Sequence, residues 1–134
     1  MRKAGSYLFV YGTLLDQENE FSVYLAQNCS FYAKGRFKGA LFDAGAYPAA
    51  IFLSDSSGYV YGKIFIINTP NEVLKQLDDY EGYGTDQEQP NLFIRKRINI
   101  ETAKNLIPCW VYLYNLPVDG LLPITSGNYF IKNL

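Results

Sequence analysis

Phe31-Tyr32-Ala33-Lys34-Gly35-Arg36-Phe37-Lys38-Gly39-Ala40-Leu41 alternates with a period of two. The odd positions hold Phe31, Ala33, Gly35, Phe37, Gly39 and Leu41, while Lys34, Arg36 and Lys38 take even ones. This is the pattern of a long strand with one buried face. Two glycines on that face predict bends or a bulge. Downstream, Ala49 to Leu53 and Tyr59 to Ile67 read as strands joined by Ser54-Asp55-Ser56-Ser57-Gly58, a hairpin signal. Upstream, Ser6 to Tyr11 is continuously apolar apart from Ser6 and reads as a short, fully buried strand, broken at Gly12-Thr13. Leu92 to Ile100 and Ile107 to Tyr114 predict a further strand pair. Many strands and few helices point to an α+β fold, a small mixed sheet curled into a barrel with a few flanking helices.

Two helices fit between these strands. Asp16 can cap one running to about Ala26, with Phe21, Tyr24 and Leu25 inward. Thr69-Pro70-Asn71-Glu72 predicts the start of the other: Thr69 as N-cap, Pro70 in the first turn, Glu72 closing a capping box. Val73, Leu74, Leu77 and Tyr80 then form one apolar stripe. Glu81 lies four residues after Leu77 and seven after Leu74, so it continues the stripe, whereas Asp78 and Asp79 fall on flanks expected to face water. A carboxylate aimed inward is costly unless it is compensated, and catalysis is one compensation. The plainer alternative puts Glu81 in water just beyond the helix, since Gly82 invites a left-handed stop.

The 134 residues are read as a single domain, residues 1–134, and 49% hydrophobic content is enough for a core. A net charge of −1 gives no general attraction to nucleic acid or to an anionic membrane. No run is long enough to span a bilayer. The absence of His removes the commonest general base and metal ligand, and Cys29 and Cys109 form no CxxC pair, so no metal site and no cofactor are expected. Both cysteines read as reduced core residues of a cytoplasmic protein. Arg95-Lys96-Arg97 reads as a solvated face with ion pairs, Trp110, Tyr112 and Tyr114 as core or barrel lining, and Asp43 to Pro48 as a strand connection. Gly12 permits close approach to the backbone, and the turn could cradle an anion, although an ordinary strand end explains one glycine equally well.

Tyr7-Leu8-Phe9-Val10-Tyr11-Gly12-Thr13-Leu14, Asp43 to Pro48, Tyr61-Gly62, Leu77-Asp78-Asp79-Tyr80-Glu81-Gly82-Tyr83, Phe93-Ile94-Arg95 and Trp110-Val111-Tyr112 occur in this order. Together they resemble the gamma-glutamylcyclotransferase family, and within it the AIG2-like and gamma-glutamylamine cyclotransferase branch. The resemblance implies a small mixed β-barrel with flanking helices. It implies an enzyme that cyclises the glutamyl part of a small-molecule gamma-glutamyl amide to 5-oxoproline and releases an amine, without metal. It carries the catalytic role onto Glu81 and substrate binding onto Tyr11, Gly12, Thr13 and Leu14. The chain departs from the family's pattern at Leu15, where a basic residue is common, at Phe93, and at Gly127-Asn128-Tyr129. A non-catalytic module holding an amino-acid-like ligand in the same cavity is the alternative. The leaving amine and the oligomeric state stay open.

Overall fold

The computed structural model describes residues 6–12 and 20–129, with backbone only at Glu20 and Phe21. The elements are β1 (Ser6–Val10), α1 (Glu20–Asn28), β2 (Cys29–Asp43), β3 (Pro48–Phe52), β4 (Tyr59–Ile67), α2 (Pro70–Glu81), β5 (Phe93–Glu101), β6 (Leu106–Tyr114) and β7 (Leu122–Pro123). The strands pair in the order β2-β4-β1-β6-β5, and Arg36 on β2 meets Glu101 on β5 to close a five-stranded barrel. β1 and β6 are parallel, with Leu8 opposite Trp110, and the other pairs are antiparallel. β3 and β7 attach to the far end of β2 outside the ring. The expected α+β barrel is therefore present, with two extra strands and two helices among the described residues.

The expected hairpin between β3 and β4 does not form. Both strands pair with β2 instead: Cys29 to Lys38 run along β4, and Gly39 to Asp43 run along β3. β2 changes partner at Gly39, where an added Cβ would lie 2.1 Å from the Ile51 carbonyl oxygen. Local sequence signals a turn at Ser54 to Gly58, but a 15-residue strand offers both neighbours more edge than they offer each other.

The irregularity in β2 lies between Phe31 and Ala33, not at a glycine. One extra residue there reverses the alternation, so Ala33 opposes Ile64 while Phe31 opposes Phe65. Phe31, expected inside, is consequently 55% exposed and packs edge-on against Phe65.

Two apolar layers result. The barrel interior holds Phe9, Tyr11, Phe37, Ile64, Ile100, Cys109 and Val111. The outer layer, beneath the helices, joins Leu8, Val10, Val73, Leu74, Leu77, Phe93 and Tyr112. β1 contributes alternate residues to both, which accounts for its unbroken apolar run. Trp110, Tyr112 and Tyr114 belong to the outer layer and not to the barrel lining. α1 was expected to start at Asp16, which lies outside the described residues, and it runs to Asn28 rather than Ala26.

Candidate functional site

α2 places Val73, Leu74 and Leu77 inward as the stripe requires. Its start differs from expectation. Thr69 precedes Pro70, but its side chain makes no capping hydrogen bond, and only its carbonyl accepts the Val73 N–H at 3.0 Å. Gly82 ends the helix in the left-handed region at φ 72°, and the N–H of Tyr83 donates to the Asp78 carbonyl at 2.9 Å. This closure suits glycine, which bears no Cβ penalty there. Glu81 is thus the last helical residue, on the buried side of the final turn.

A cavity of about 400 Å³, counting its open mouth, opens at the end of β1. Phe9, Val10, Tyr11 and Gly12 form one wall, Tyr47 and Pro48 another, and Glu81, Phe93 and Tyr112 close it. Of the expected site residues, Glu81, Tyr11 and Gly12 are brought together here. Thr13 and Leu14, like the departure at Leu15, lie outside the described residues.

The environment of Glu81 is largely apolar. Burial lifts its pKa from the ordinary 4.5 to about 7, although the residue as a whole keeps some contact with solvent. Tyr11 is buried and its hydroxyl donates to the Tyr112 carbonyl. Burial raises the Tyr11 pKa, and the neighbouring Glu81 raises it further, so the phenol stays protonated. Tyr112 is held protonated first by burial and then by its hydrogen bond to Asp78. Among the described residues no group of three or more His, Cys, Asp or Glu side chains could hold a metal ion, and no helix is long and apolar enough to cross a membrane.

Three placements were not expected. Asp78 is no solvated flank: Arg95 Nε donates to its Oδ1 at 2.7 Å and Nη2 to Oδ2 at 3.1 Å, while the Tyr112 hydroxyl donates to Oδ1 at 2.6 Å. Tyr47 and Pro48, expected only to connect strands, wall the cavity. Pro48 also abuts Gly12, where an added Cβ would lie 2.3 Å from the Pro48 Cγ. The acidic and basic partners sit 17 residues apart, and the turn packs across 36, so no local periodicity marks either contact.

The sequence profile of the gamma-glutamyl cyclotransferase, AIG2-like family matches residues 8–130. A putative gamma-glutamylcyclotransferase of Bacillus subtilis, YkqA, is 31% identical over 92% of this chain, which spans only 41% of that protein. The gamma-L-glutamyl-butirosin B gamma-glutamyl cyclotransferase of Niallia circulans is 30% identical over 81% of this chain and 66% of its own length. The solution structure of YtfP from Escherichia coli superposes with a TM-score of 0.68 at 26% identity, covering 96% of this chain and 99% of that one.

Proposed function

This chain belongs to the gamma-glutamyl cyclotransferase, AIG2-like family, and on that premise we propose that it converts a gamma-glutamyl amide to 5-oxoproline and a free amine, with Glu81 as general acid and base. The observation that carries this is one carboxylate, its pKa raised to about 7, lining the same cavity as Tyr11 and Gly12 at the end of β1. A group poised near neutrality is the best compromise between taking a proton and returning it.

In this reading the Gly12 turn holds the substrate's α-carboxylate. Glu81 takes a proton from the α-ammonium group. The freed amine attacks the γ-carbonyl carbon, the new C–N bond closes the five-membered ring, and the carbonyl oxygen becomes an oxyanion. Backbone N–H groups beside Gly12 are the candidate donors to it. The oxyanion then re-forms the carbonyl as the old C–N bond breaks, and protonated Glu81 delivers its proton to the departing amine. The carboxylate so regenerated takes the second proton from the ring nitrogen and passes it to solvent or to the released amine. Both reacting groups belong to one molecule, so folding the substrate into an attack geometry supplies much of the rate. The Tyr11 hydroxyl is already donated to the Tyr112 carbonyl, so it serves as wall and spacer in this scheme, not as a proton carrier.

The test is a panel of gamma-glutamyl compounds with 5-oxoproline measured by mass spectrometry, run on wild type and on Glu81→Gln. Gln preserves shape and cannot carry the proton, so turnover should fall by about 10²–10⁴-fold or more. Near-normal 5-oxoproline release by Glu81→Gln would reject the assignment. Tight binding of a gamma-glutamyl compound that stays intact on wild type would reject the enzyme in favour of a binding module.

A further inference from the structure

Glu81 ends α2, and the last turn of a helix frays unless something ties it down. The fully buried part of the apolar stripe that holds α2 finishes at Leu77, a turn earlier, and Tyr80 beyond it packs on the core only partly buried. Asp78 lies three residues before Glu81 and on the same side of the helix. Its side chain receives both forks of Arg95 and the Tyr112 hydroxyl. Its carbonyl receives the N–H groups that close the helix at Gly82 and Tyr83. The Asp78 and Arg95 side chains are each only 18% exposed, so this is not a loose surface pair.

The partners are themselves held. The Arg95 guanidinium carbon sits 4.5 Å from the Trp110 ring centroid and 5.8 Å from that of Tyr83. Tyr112 uses its hydroxyl on Asp78 and its carbonyl on Tyr11. A bonded path therefore runs from the last turn of α2, across β6, to the end of β1. Both walls of the cavity, Glu81 on one side and Tyr11–Gly12 on the other, hang from it. A partly buried ion pair is poor evidence of stabilisation, because apolar replacements often do as well. What a bidentate pair adds is fixed geometry.

We propose that Asp78, gripped by Arg95 and Tyr112, is a positioning residue that sets the place of Glu81 relative to the end of β1. The proposal rests on Glu81 being the proton carrier. Asp78 touches no substrate in this scheme; it acts through Glu81, so its loss should slow proton transfer while leaving the anion-holding turn alone.

Steady-state kinetics on a gamma-glutamyl compound that wild type cleaves, with thermal melts on the same samples, test this. Asp78→Asn keeps an acceptor for Tyr112 but turns an N–H toward Arg95. It should lower kcat about 10–100-fold, the scale of a misplacement near 1 Å, with KM within about threefold. Arg95→Lys keeps the charge without the fork and should recover part of the kcat lost in Arg95→Gln. Tyr112→Phe removes one hydroxyl, leaves the ion pair intact, and should lower kcat by about threefold to tenfold. It decides the matter if Asp78→Asn does not fold. A kcat within about twofold of wild type in folded Asp78→Asn and Tyr112→Phe, or losses that track the melting temperature and fall equally on KM, would overturn the proposal. Glu81→Gln separates the two failures. If that variant stays active, the functional reading falls; if it is inactive while Asp78→Asn is normal, only the positioning role falls.

Discussion

Glu81→Gln should make the protein more stable at pH 8 even as it abolishes turnover. The folded protein holds the Glu81 proton up to about pH 7, whereas an ordinary glutamate releases it near 4.5. Between these values the folded state binds more protons than the unfolded chain, so stability falls as pH rises and levels off above 7. Below 4.5 both states hold the proton and the group contributes nothing. At 1.36 kcal/mol per pH unit, the interval from 4.5 to about 7 amounts to about 3 kcal/mol, and the residual solvent contact of Glu81 trims this to about 2–3 kcal/mol. Gln, always neutral, escapes that cost. With an unfolding entropy of about 2.1 cal/mol/K per residue over 134 residues, the variant should melt about 7–11 °C above wild type at pH 8. At pH 4.5 the two should nearly coincide. The measurement is a set of thermal or urea melts of both proteins from pH 4.5 to 8.5, read as the difference between them so that other titrations cancel. A variant no more stable than wild type at pH 8, or one whose advantage is independent of pH, would refute the claim that this carboxylate is held against its preference.

Two further outcomes follow from the packing. Gly12→Ala places a Cβ 2.3 Å from Cγ and 3.0 Å from Cδ of the rigid Pro48 ring. It should cost about 1–3 kcal/mol in a denaturant melt and lower 5-oxoproline formation at least tenfold, whereas a variant normal in both would contradict the contact. Burial raises the thiol pKa values of Cys29 and Cys109 to about 11 and about 12. Both should therefore resist a disulfide reagent at pH 8 until the protein unfolds, and rapid labelling of the native protein would show that one of them is accessible.

Some of this architecture could be read along the chain and some could not. The stripe of α2 and its glycine stop are properties of a dozen consecutive residues, and they brought Glu81 to the buried side without knowledge of what it meets. β5 and β6 are adjacent in sequence and pair as their alternation implies. The error at β3 and β4 came from treating a turn signal as a pairing signal. A turn dictates where the chain reverses, whereas pairing depends on which edges are free, and β2 lies between the two, offering one edge to β3 and the other to β4. The inverted exposure of Phe31 has a similar origin, because alternation predicts faces only until a bulge resets them. Asp78 looked solvated because its helical position says nothing about Arg95, which arrives from a strand 17 residues on. Tyr47 and Pro48 were invisible for the same reason: a loop reads as a connection until the strand end it leans on is known. The other positions expected to bind substrate, Thr13 and Leu14, lie outside the described residues.

The parallel register of Leu8 with Trp110 has a bearing on timing. β1 carries one wall of the cavity, α2 carries the other, and β6 is the strand that brings them within reach of each other. None of the three makes the cavity alone, so it does not exist until segments about a hundred residues apart have met. Unzipping β1 from β6 would take the cavity apart while α2 was still wound, so the turnover proposed above should report barrel closure more sensitively than helical signal does.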